Sequence, residues 1–471
     1  MLHGDQVLGR TRTRAIRSGV ALRVLALRAE VATGSAELAA TALVALALLC
    51  GTIVFVSPGH FRPVGAPPLS LFVAFGTLSA LALTFAASLP LHRLISPRGR
   101  TLLGSAGLLT IGVLASMGAW ETAMSLRSIH ATTPYNNDGA AMDLYAARQV
   151  VHGHDPYLKT NIVYALAQID APATTTTPLM DGQFRGARAY PSPDAIERVF
   201  LNDLQREPRQ IPPEFESKYN YPAGSFLFIL PFVWAGMRDM RLLYVVAVLV
   251  LGAYLWRRSS RALRPLVPLL LLANVPLIVM TAGGQPDPLY GLFLALAFAE
   301  WPGRRSSPIF MGLAVSIKQL AWFFAPFYLL LVVRNLGWRE ALRRLAVMSA
   351  IFAVTNLPFV VQGPAQYAAS ISAPMSDPMF PLGVGVIALF VGNLVPMLPK
   401  IVFTLGELGS WGLSTVLGTR FRVPAAGLVV LGAFPLFFAW RSLTSYFYLV
   451  PLMALAVLLA EHDRGPRYRS T

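Results

Sequence analysis

A polar stretch, YNNDGAAMDLYAARQVVHGHDPY at residues 135–157, directly follows an apolar segment and carries the first candidate for chemistry. At helical spacing one face of this stretch carries Asp138, Met142, Tyr145, Gln149 and His152. Asp138 stands at the start of that face, where its carboxylate can point past the helix end. A carboxylate beside an apolar groove is suited to act as general base on a lipid-borne substrate. The alternative is that Asp138 only caps the helix, as Asp and Asn do routinely.

A second candidate is the polar break TAGGQPDPLYG, residues 281–291, between two apolar segments. Gln285 and Asp287 are predicted at helix ends near the membrane surface, with Gly283 and Gly284 permitting close backbone approach. Because Gly-Gly and Pro-Asp-Pro also favour turns, a plain helix–helix connection is the alternative. An aspartate at the membrane boundary is expected to stay solvated.

Lys318 interrupts the apolar stretch FMGLAVSIKQLAWFFAPFYLLL. Each flanking half is too short to span a bilayer comfortably, which predicts two broken helices that turn at this lysine. A lysine at this depth is costly unless it lines a polar cavity or meets an anion, and the phosphate of a lipid carrier is the most natural anion. Snorkelling of the side chain to the surface is the alternative.

The stretch WRSLTSYFYLVP near the C-terminus places Arg441 and Tyr446 between two apolar segments. An arginine can bind phosphate in bidentate fashion, and an ordinary loop arginine with interfacial aromatics is the alternative. The Pro- and Gly-rich segment 372–385 contains Asp377 and is either a lid over the cavity or a simple connector.

The elements that must position these side chains are membrane helices. The chain has 471 residues, of which 55% are hydrophobic and 13% charged, and its mean hydropathy is +0.55. Its apolar runs approach the ~20 residues that a spanning helix needs, so we predict an all-α polytopic membrane protein with about 11–14 transmembrane helices. The candidate spans are 37–56, 69–91, 101–125, 241–256, 265–281, 287–301, 345–361, 386–399, 423–440 and 445–460, with shorter pieces at 222–237, 308–317, 320–333 and 401–417.

Hydropathy divides the chain into five parts. These are a basic N-terminal segment (1–36), transmembrane helices (37–125), a long polar loop (126–221), a transmembrane core (222–460) and a tail (461–471). No cleavable signal peptide is evident, because the basic N-terminal segment lacks a short charged start before an apolar core. The single cysteine, Cys50, excludes a disulfide framework and a cysteine metal site.

The charge distribution predicts the orientation of the chain. The formal net charge is +16, and the stretch from Ser125 to Tyr221 holds 11 of the 23 acidic residues but only 9 of the 39 basic ones. Because basic residues favour the cytoplasmic side, the loop is predicted to be extracytoplasmic, with membrane lipids rather than nucleic acid as partners. One conflict remains. If 222–237 and 241–256 both span, the basic residues 257–264 fall outside, so either one segment is re-entrant or the charge rule fails locally.

Within the loop, residues 138–152 are predicted as a helix capped by Asn-Asn-Asp and ended by Gly153, and a second, amphipathic helix is predicted around 194–207. The sequence contains no P-loop, G-x-S-x-G, H-E-x-x-H or Cys/His cluster. ATP-driven transport and zinc hydrolysis therefore lose their usual support, and no metal ligands are predicted.

Four stretches resemble, in this order, motifs of the GT-C class of membrane glycosyltransferases: NNDGAAMDLYAARQVVHGHDPY, YNYPAGSFLFILPF, GGQPDPLYGLFLALAFAEW and GLAVSIKQLAWFFAPF. Within that class they are most similar to the GT87 (DUF2029) group, which includes polyprenol-phosphate-mannose-dependent mannosyltransferases. The resemblance covers roughly residues 130–335. It implies a GT-C-like helix bundle in a bacterial inner membrane, with a large extracytoplasmic loop that bears interfacial helices.

The resemblance also implies a site. Asp138 is expected as the catalytic aspartate, with Asp143 as the second choice, acting between a polyprenyl-phosphate sugar and a glycan or glycolipid acceptor. Lys318 and Gln285 are expected to line the cavity that receives the donor, and we place Asp287 and Arg441 with them. The other cavity-lining candidates are Tyr145, His152, Tyr157, Tyr221, Gln319, Asp377 and Tyr446. A divalent cation is left open as a cofactor.

In this mechanism Asp138 accepts the proton of the acceptor hydroxyl, while Lys318, helped by Arg441, stabilises the departing phosphate. No pair of carboxylates for double displacement is evident, which favours inversion. The chain departs from the family pattern at Asp287, where many relatives carry Asn, and in its added N-terminal helices, so the sugar, a mannose-like hexose or a pentose, stays open. The alternatives are a transporter or flippase of lipid-linked saccharides and a non-catalytic assembly partner of envelope machinery.

Overall fold

The computed structural model describes residues 37–57, 67–90, 94–128, 135–187, 189–206, 210–303 and 305–464. The predicted basic N-terminal segment and most of the predicted tail lie outside these residues. The helices are α1 (Glu37–Val56), α2 (Pro67–Ser88), α3 (Pro97–Ser128), α4 (Asp138–Val151), α5 (Pro156–Lys159), α6 (Ile162–Ala167), α7 (Pro193–Leu204), α8 (Gly224–Trp234), α9 (Arg241–Arg258), α10 (Leu266–Ala273), α11 (Val275–Ala282), α12 (Asp287–Ala299), α13 (Ser306–Ile317), α14 (Leu320–Leu336), α15 (Trp338–Gln362), α16 (Pro364–Ser376), α17 (Ile387–Val391), α18 (Lys400–Arg420), α19 (Ala425–Ala433) and α20 (Val450–Asp463). Two short strands, β1 (Leu382–Gly383) and β2 (Arg441–Ser442), pair in parallel.

The predicted all-α, multi-pass membrane architecture is confirmed. Within the described part of the chain, six helical stretches are long and apolar enough to cross a bilayer. They lie in α1, α2, α3, α15 and α18, and in α20 taken together with the turn that precedes it (Thr444–Asp463). Shorter apolar helices lie among them. Helix α12 is buried along almost its whole length because it packs against α9, α13 and α20, as expected for a helix that is apolar on all sides.

One predicted span is wrong. Residues 386–399 contain only the five-residue helix α17, which ends at Gly392, and Asn393 follows with a left-handed φ of 58°. Conversely, the short apolar piece predicted at 401–417 lies inside the 21-residue helix α18. Hydropathy registers apolar composition, but the backbone turn that ends α17 lies within an apolar run.

Ion pairs define one end of the helix bundle. Arg258, at the end of α9, contacts both Glu300, which follows α12, and Asp463 at the end of α20. Arg464 Nη2 also donates to Glu300 Oε2 at 2.9 Å. We call this the basic end. The end where residues 135–221 lie is the loop end.

Helix α8 starts directly after the loop and returns to the loop end. The chain beyond it contacts Tyr135, whose hydroxyl donates to Asp239 Oδ1 and accepts the Met240 amide, both at 2.8 Å. With 11 residues, α8 is about 16 Å long, roughly half the thickness of the hydrocarbon layer. Helix α9 then runs to the basic end, so the basic residues 257–264 lie with the tail. The chain before and after α8 thus lies at the loop end, which favours the re-entrant alternative for segment 222–237.

The predicted helix at 138–152 is confirmed as α4, and the second loop helix as α7. Helix α4 packs against α6 and α8, and residues 139–144 are all buried, so its first half is enclosed by protein. The interfacial placement of this helix stays a prediction.

Extended segments from distant parts of the chain meet beside α4. The Glu216 amide donates to the Thr177 carbonyl at 2.9 Å, and the Met180 amide donates to the Pro378 carbonyl at 2.7 Å. Segment 177–180 is thus held between residues 214–216 on one side and 378–379 on the other. This arrangement places Thr177 next to the N-terminus of α4.

Candidate active site

Asp138 is the first residue of α4, and Asn137 is its cap. Asn137 Oδ1 accepts the Ala140 amide at 2.9 Å, so the capping role that the sequence leaves open for Asp138 belongs to Asn137. The two carboxylate oxygens of Asp138 have separate partners: Oδ1 accepts the Gly139 amide and Oδ2 accepts the Thr177 hydroxyl, each at 2.8 Å. Asp138 is half-buried, so part of the residue remains exposed.

A chain of polar side chains runs from the cap of α4 into the bundle. Asn137 Nδ2 donates to Gln285 Oε1, Gln285 Nε2 donates to Asp287 Oδ2 at 2.7 Å, and Lys318 Nζ donates to Asp287 Oδ1. Asp287 has no exposed surface and Lys318 only 7%, which corrects the expectation that Asp287 is solvated. The positive charge of Lys318 is therefore matched by a buried carboxylate of the protein itself.

The backbone at Lys318 follows the predicted break. Helix α13 ends at Ile317, Lys318 is extended with φ −146° and ψ 136°, and α14 begins at Leu320. The break turns the lysine toward two aromatic rings, with Nζ 5.3 Å from the Tyr221 ring centre and 5.5 Å from that of Tyr290. These cation–π contacts and the ion pair with Asp287 satisfy a lysine that is withdrawn from water.

The turn between α11 and α12 requires its glycines. A Cβ at Gly283 would stand 1.8 Å from Asn136 Oδ1, and Gly284 has a φ of +90° with the Tyr135 ring against it. The Asn136 amide donates to the Gly283 carbonyl at 3.0 Å. Close backbone approach at these positions presses the polar turn against the start of α4, which brings Gln285 within reach of Asn137.

Tyr221 lies between the start of α4 and Lys318. Its hydroxyl is 2.9 Å from the position that a Cβ on Gly139 would occupy, and its ring lies beneath Lys318. Burial raises the pKa of Tyr221 well above its ordinary value, and the neighbouring carboxylates of Asp138 and Asp143 act in the same direction. The hydroxyl therefore stays protonated and remains a hydrogen-bond donor.

Arg441 contacts the same hydroxyl group as Asp138, that of Thr177. Strand β2 carries it, and pairing of β2 with β1 at Leu382 fixes its backbone. Arg441 Nη2 donates to Thr177 Oγ1 at 3.4 Å, while Nη1 is buried without a hydrogen-bond partner in the part of the chain that the structure describes. Tyr446 lies within electrostatic range of Arg441 and Asp138.

Asp143 has a different environment from Asp138. Only 2% of Asp143 is exposed, and its Oδ1 accepts the Tyr219 hydroxyl at 2.5 Å. The Tyr219 hydroxyl also contacts Ser225 Oγ. Burial raises the pKa of Asp143 to about 7, although the hydrogen bond from Tyr219 acts against this shift. Asp143 is thus an enclosed carboxyl group tied to the wall of the site.

The structure brings together Asp138, Tyr221, Gln285, Asp287, Lys318, Arg441 and Tyr446. The other candidates have contacts elsewhere. Tyr145 packs against the core, and His152 is exposed at the far end of α4. Tyr157 makes an edge-on contact with the Tyr219 ring and a tilted contact with the Tyr367 ring. Gln319 Nε2 donates to the Ile371 carbonyl, and Asp377 pairs with Lys218. Within residues 372–385, β1 pairs with β2, while the Asp377–Lys218 ion pair and the hydrogen bond from the Met180 amide to the Pro378 carbonyl hold the segment against the loop.

Sequence reasoning missed three side chains of this site. Asn137 is part of the predicted Asn-Asn-Asp cap, but its contact with Gln285 was not predicted. Thr177 lies in a run of four threonines, and Tyr219 in a short aromatic stretch, where residue type gives no indication of a partner. Among the described residues, no group of three or more His, Cys, Asp or Glu side chains is arranged to hold a metal ion.

No protein-family model, no curated protein and no solved structure matches the chain. The resemblance to GT-C glycosyltransferases therefore rests on the four sequence motifs.

Proposed function

We propose that the chain is an integral-membrane glycosyltransferase of the GT-C class, which transfers a sugar from a polyprenyl-phosphate donor to a glycan or glycolipid acceptor. The observation that carries the proposal is that Asp138 and Arg441 contact the same hydroxyl, that of Thr177. The half-buried carboxylate accepts its proton at 2.8 Å, and Arg441, whose Nη1 is buried without a hydrogen-bond partner among the described residues, donates to its oxygen at 3.4 Å. A base and an anion binder joined through one hydroxyl are suited to the two ends of a sugar phosphate.

The carboxylate serves as the base. The acceptor oxygen attacks the anomeric carbon, the bond from that carbon to the phosphate oxygen breaks, and its electron pair leaves with the polyprenyl phosphate. The acceptor proton passes to Asp138, which is the most accessible carboxylate of the cluster. Asp287 is paired with Lys318 and Asp143 is enclosed. This leaves one carboxylate facing substrate and supports a single displacement with inversion.

The guanidinium serves as the phosphate binder. The Nη1 group of Arg441, which has no hydrogen-bond partner among the described residues, is the donor proposed to stabilise the charge that develops on the departing oxyanion. The sequence suggests Lys318 for this role, with Arg441 as helper. Because Asp287 neutralises Lys318, we assign the main phosphate contact to Arg441 and give Lys318 the task of holding the polar turn against α4.

The proposed topology follows from the two ends of the bundle. Tracing the chain between the basic end and the loop end gives about twelve crossings, with α10 and α11 forming one crossing, and α19 and the Phe434–Phe438 turn another. Both termini then lie on the cytoplasmic side, and the site faces the outer side of a bacterial inner membrane. A mannose-like hexose or a pentose is the proposed sugar.

A transporter of lipid-linked saccharides is the second candidate. The observation that favours it is the buried Lys318–Asp287 pair at the junction of broken helices, a setting that transporters use for ions and anionic substrates. A transporter moves the lipid-linked sugar intact, whereas a transferase consumes it.

The proposal is tested with purified protein in liposomes that contain polyprenyl-phosphate mannose labelled in the sugar. Asp138→Asn removes the base and is expected to lower transfer by about 10²–10⁴-fold, with folding unchanged. Asp194→Asn, at an exposed aspartate in the first turn of α7, is the matched control and should transfer like the unmodified protein. Equal transfer by both variants would refute Asp138 as the base.

A further inference from the structure

The four threonines at 174–177 differ in what their hydroxyl groups contact. Thr175 and Thr176 donate to backbone carbonyls three residues earlier, at 2.7 Å and 2.8 Å. Thr177 instead donates to Asp138 Oδ2, 39 residues away, and accepts from Arg441 Nη2, 264 residues away. It is the member of this run whose side chain joins distant parts of the chain.

The backbone holds Thr177 in place. Pro178, which follows it, disfavours helical geometry at residue 177 and forms a bridge with Phe215. The Thr177 carbonyl accepts the Glu216 amide at 2.9 Å, and the residue is 8% exposed. A hydroxyl fixed in this way can orient the group that it contacts.

We infer that Thr177 is a positioning residue for the base, an inference that rests on the proposed function. A hydroxyl has one proton, and here the proton goes to Asp138 while the oxygen accepts from Arg441. With the Gly139 amide on the other oxygen, the carboxylate is held at both ends and cannot rotate about its side chain. Its remaining lone pairs then face the acceptor hydroxyl, and the base is oriented before substrate arrives.

This role predicts a particular kinetic change. Thr177→Val keeps the branched shape and removes the hydroxyl, so it should lower kcat by about 10–100-fold with little change in the donor KM. Thr177→Ser keeps the hydroxyl and should restore most of kcat. Thr176→Val removes a neighbouring buried hydroxyl with a local partner and should leave kcat unchanged. A residue with only a structural role would lose activity through folding, and Ser would rescue it no better than Val.

A second measurement does not depend on the activity. A water-soluble carbodiimide with an amine nucleophile labels accessible carboxyl groups, and mass spectrometry reports the rate at Asp138. Loss of its partner in Thr177→Val should raise this rate about fivefold relative to Thr176→Val. If the valine variant does not assemble, Thr177→Ala, which adds no bulk, takes its place in both measurements.

The outcomes separate this inference from the proposed function. Transfer by the unmodified protein, loss in Asp138→Asn and full kcat in Thr177→Val would overturn the role of Thr177 alone. Absence of transfer by the unmodified protein would overturn the proposed function, and the labelling rate would still decide whether Thr177 orients Asp138. An unchanged labelling rate would contradict the inference in either case.

Discussion

At the scale of single residues, two carboxyl groups five positions apart on α4 have opposite environments. Asp138 keeps accessible lone pairs at the helix start, and Asp143 is enclosed and accepts the Tyr219 hydroxyl. A sequence shows both as aspartates on a polar helix. Only the packing of α8 on α4 distinguishes the group that can meet a substrate from the one that cannot.

Asp143 makes stability depend on pH. The pKa of Asp143 is about 7 in the folded protein, above its ordinary value of 3.8. Between these two pH values the folded protein binds more protons than the unfolded chain. The stability of the folded protein therefore falls as pH rises through this window. We expect the apparent Tm to fall by on the order of 5 °C between pH 5 and pH 8. Asp143→Asn should reduce the fall. Asp143→Asn should not abolish the fall, because burial and the neighbouring Asp377 carboxylate also raise the pKa of Glu216 above its ordinary value.

Thermal unfolding in detergent, followed at several pH values for both proteins, measures this difference. Asp194→Asn, at an exposed position, serves as the control and should follow the unmodified protein. If the apparent Tm of Asp143→Asn fell with pH as steeply as that of the unmodified protein, Asp143 would not be a source of the pH dependence.

Arg441 should control donor binding. Arg441→Gln removes the free guanidinium N–H and is expected to lower kcat/KM for the polyprenyl-phosphate donor by about 10²–10³-fold. Arg441→Lys should recover only part of the lost kcat/KM, because a lysine cannot bind phosphate in bidentate fashion. Steady-state kinetics at varied donor concentration measure the effect. Arg198→Gln, on the exposed face of α7, is the control, and a comparable loss there would mean that loop charge in general attracts the donor.

At the scale of elements, the polar turn before α12 and the break between α13 and α14 act together. Lys318 and Asp287 join them through a buried ion pair. Removing one partner leaves the other charge buried and unpaired, which costs about 3–5 kcal/mol, whereas replacing both with apolar residues is often tolerated. We therefore expect Lys318→Met and Asp287→Asn each to lower the yield of folded protein and the apparent Tm, and Lys318→Met with Asp287→Leu to recover both.

The double variant also tests the role of Lys318. If the pair only holds the turn against α4, the recovered protein should retain measurable transfer. A well-folded double variant with activity as low as that of Asp138→Asn would return the phosphate contact to Lys318.

Several elements could be predicted from the sequence, for identifiable reasons. The bounds of α4 follow from an Asn cap and a closing Gly153, and the break at Lys318 follows from the cost of a lysine within an apolar run. The missing helix at 386–399 could not be predicted, because its residues are apolar but turn after Val391. The burial of Asp287, the first residue of α12, could not be predicted either, because local sequence does not report tertiary burial.

At the scale of the whole molecule, the site depends on contacts that no local pattern encodes. The bond from Arg441 to Thr177 joins residues 264 positions apart, and that from Asn137 to Gln285 joins residues 148 apart. Composition predicts a multi-pass membrane protein, which is confirmed, and the four motifs identify most of the residues that meet. Which partners they meet follows from the packing of the bundle.

The two ends of the bundle predict sidedness. In a Cys50→Ala background, a cysteine in place of Arg198 or Met237 should react with a membrane-impermeant maleimide added to intact cells. A cysteine in place of Arg261 should react only after the membrane is opened, because residues 257–264 lie at the basic end. Labelling of position 261 from outside would contradict the proposed re-entrant course of α8.

The proposed transferase uses one site to remove a sugar from a lipid phosphate and give it to an acceptor. The most direct test counts both products in one reaction, using liposomes with polyprenyl-phosphate mannose and a glycolipid acceptor. The account predicts one polyprenyl phosphate released for each sugar gained by the acceptor, with inverted anomeric configuration, and loss of both products in Asp138→Asn. Movement of intact lipid-linked sugar between leaflets, without release of polyprenyl phosphate, would contradict it.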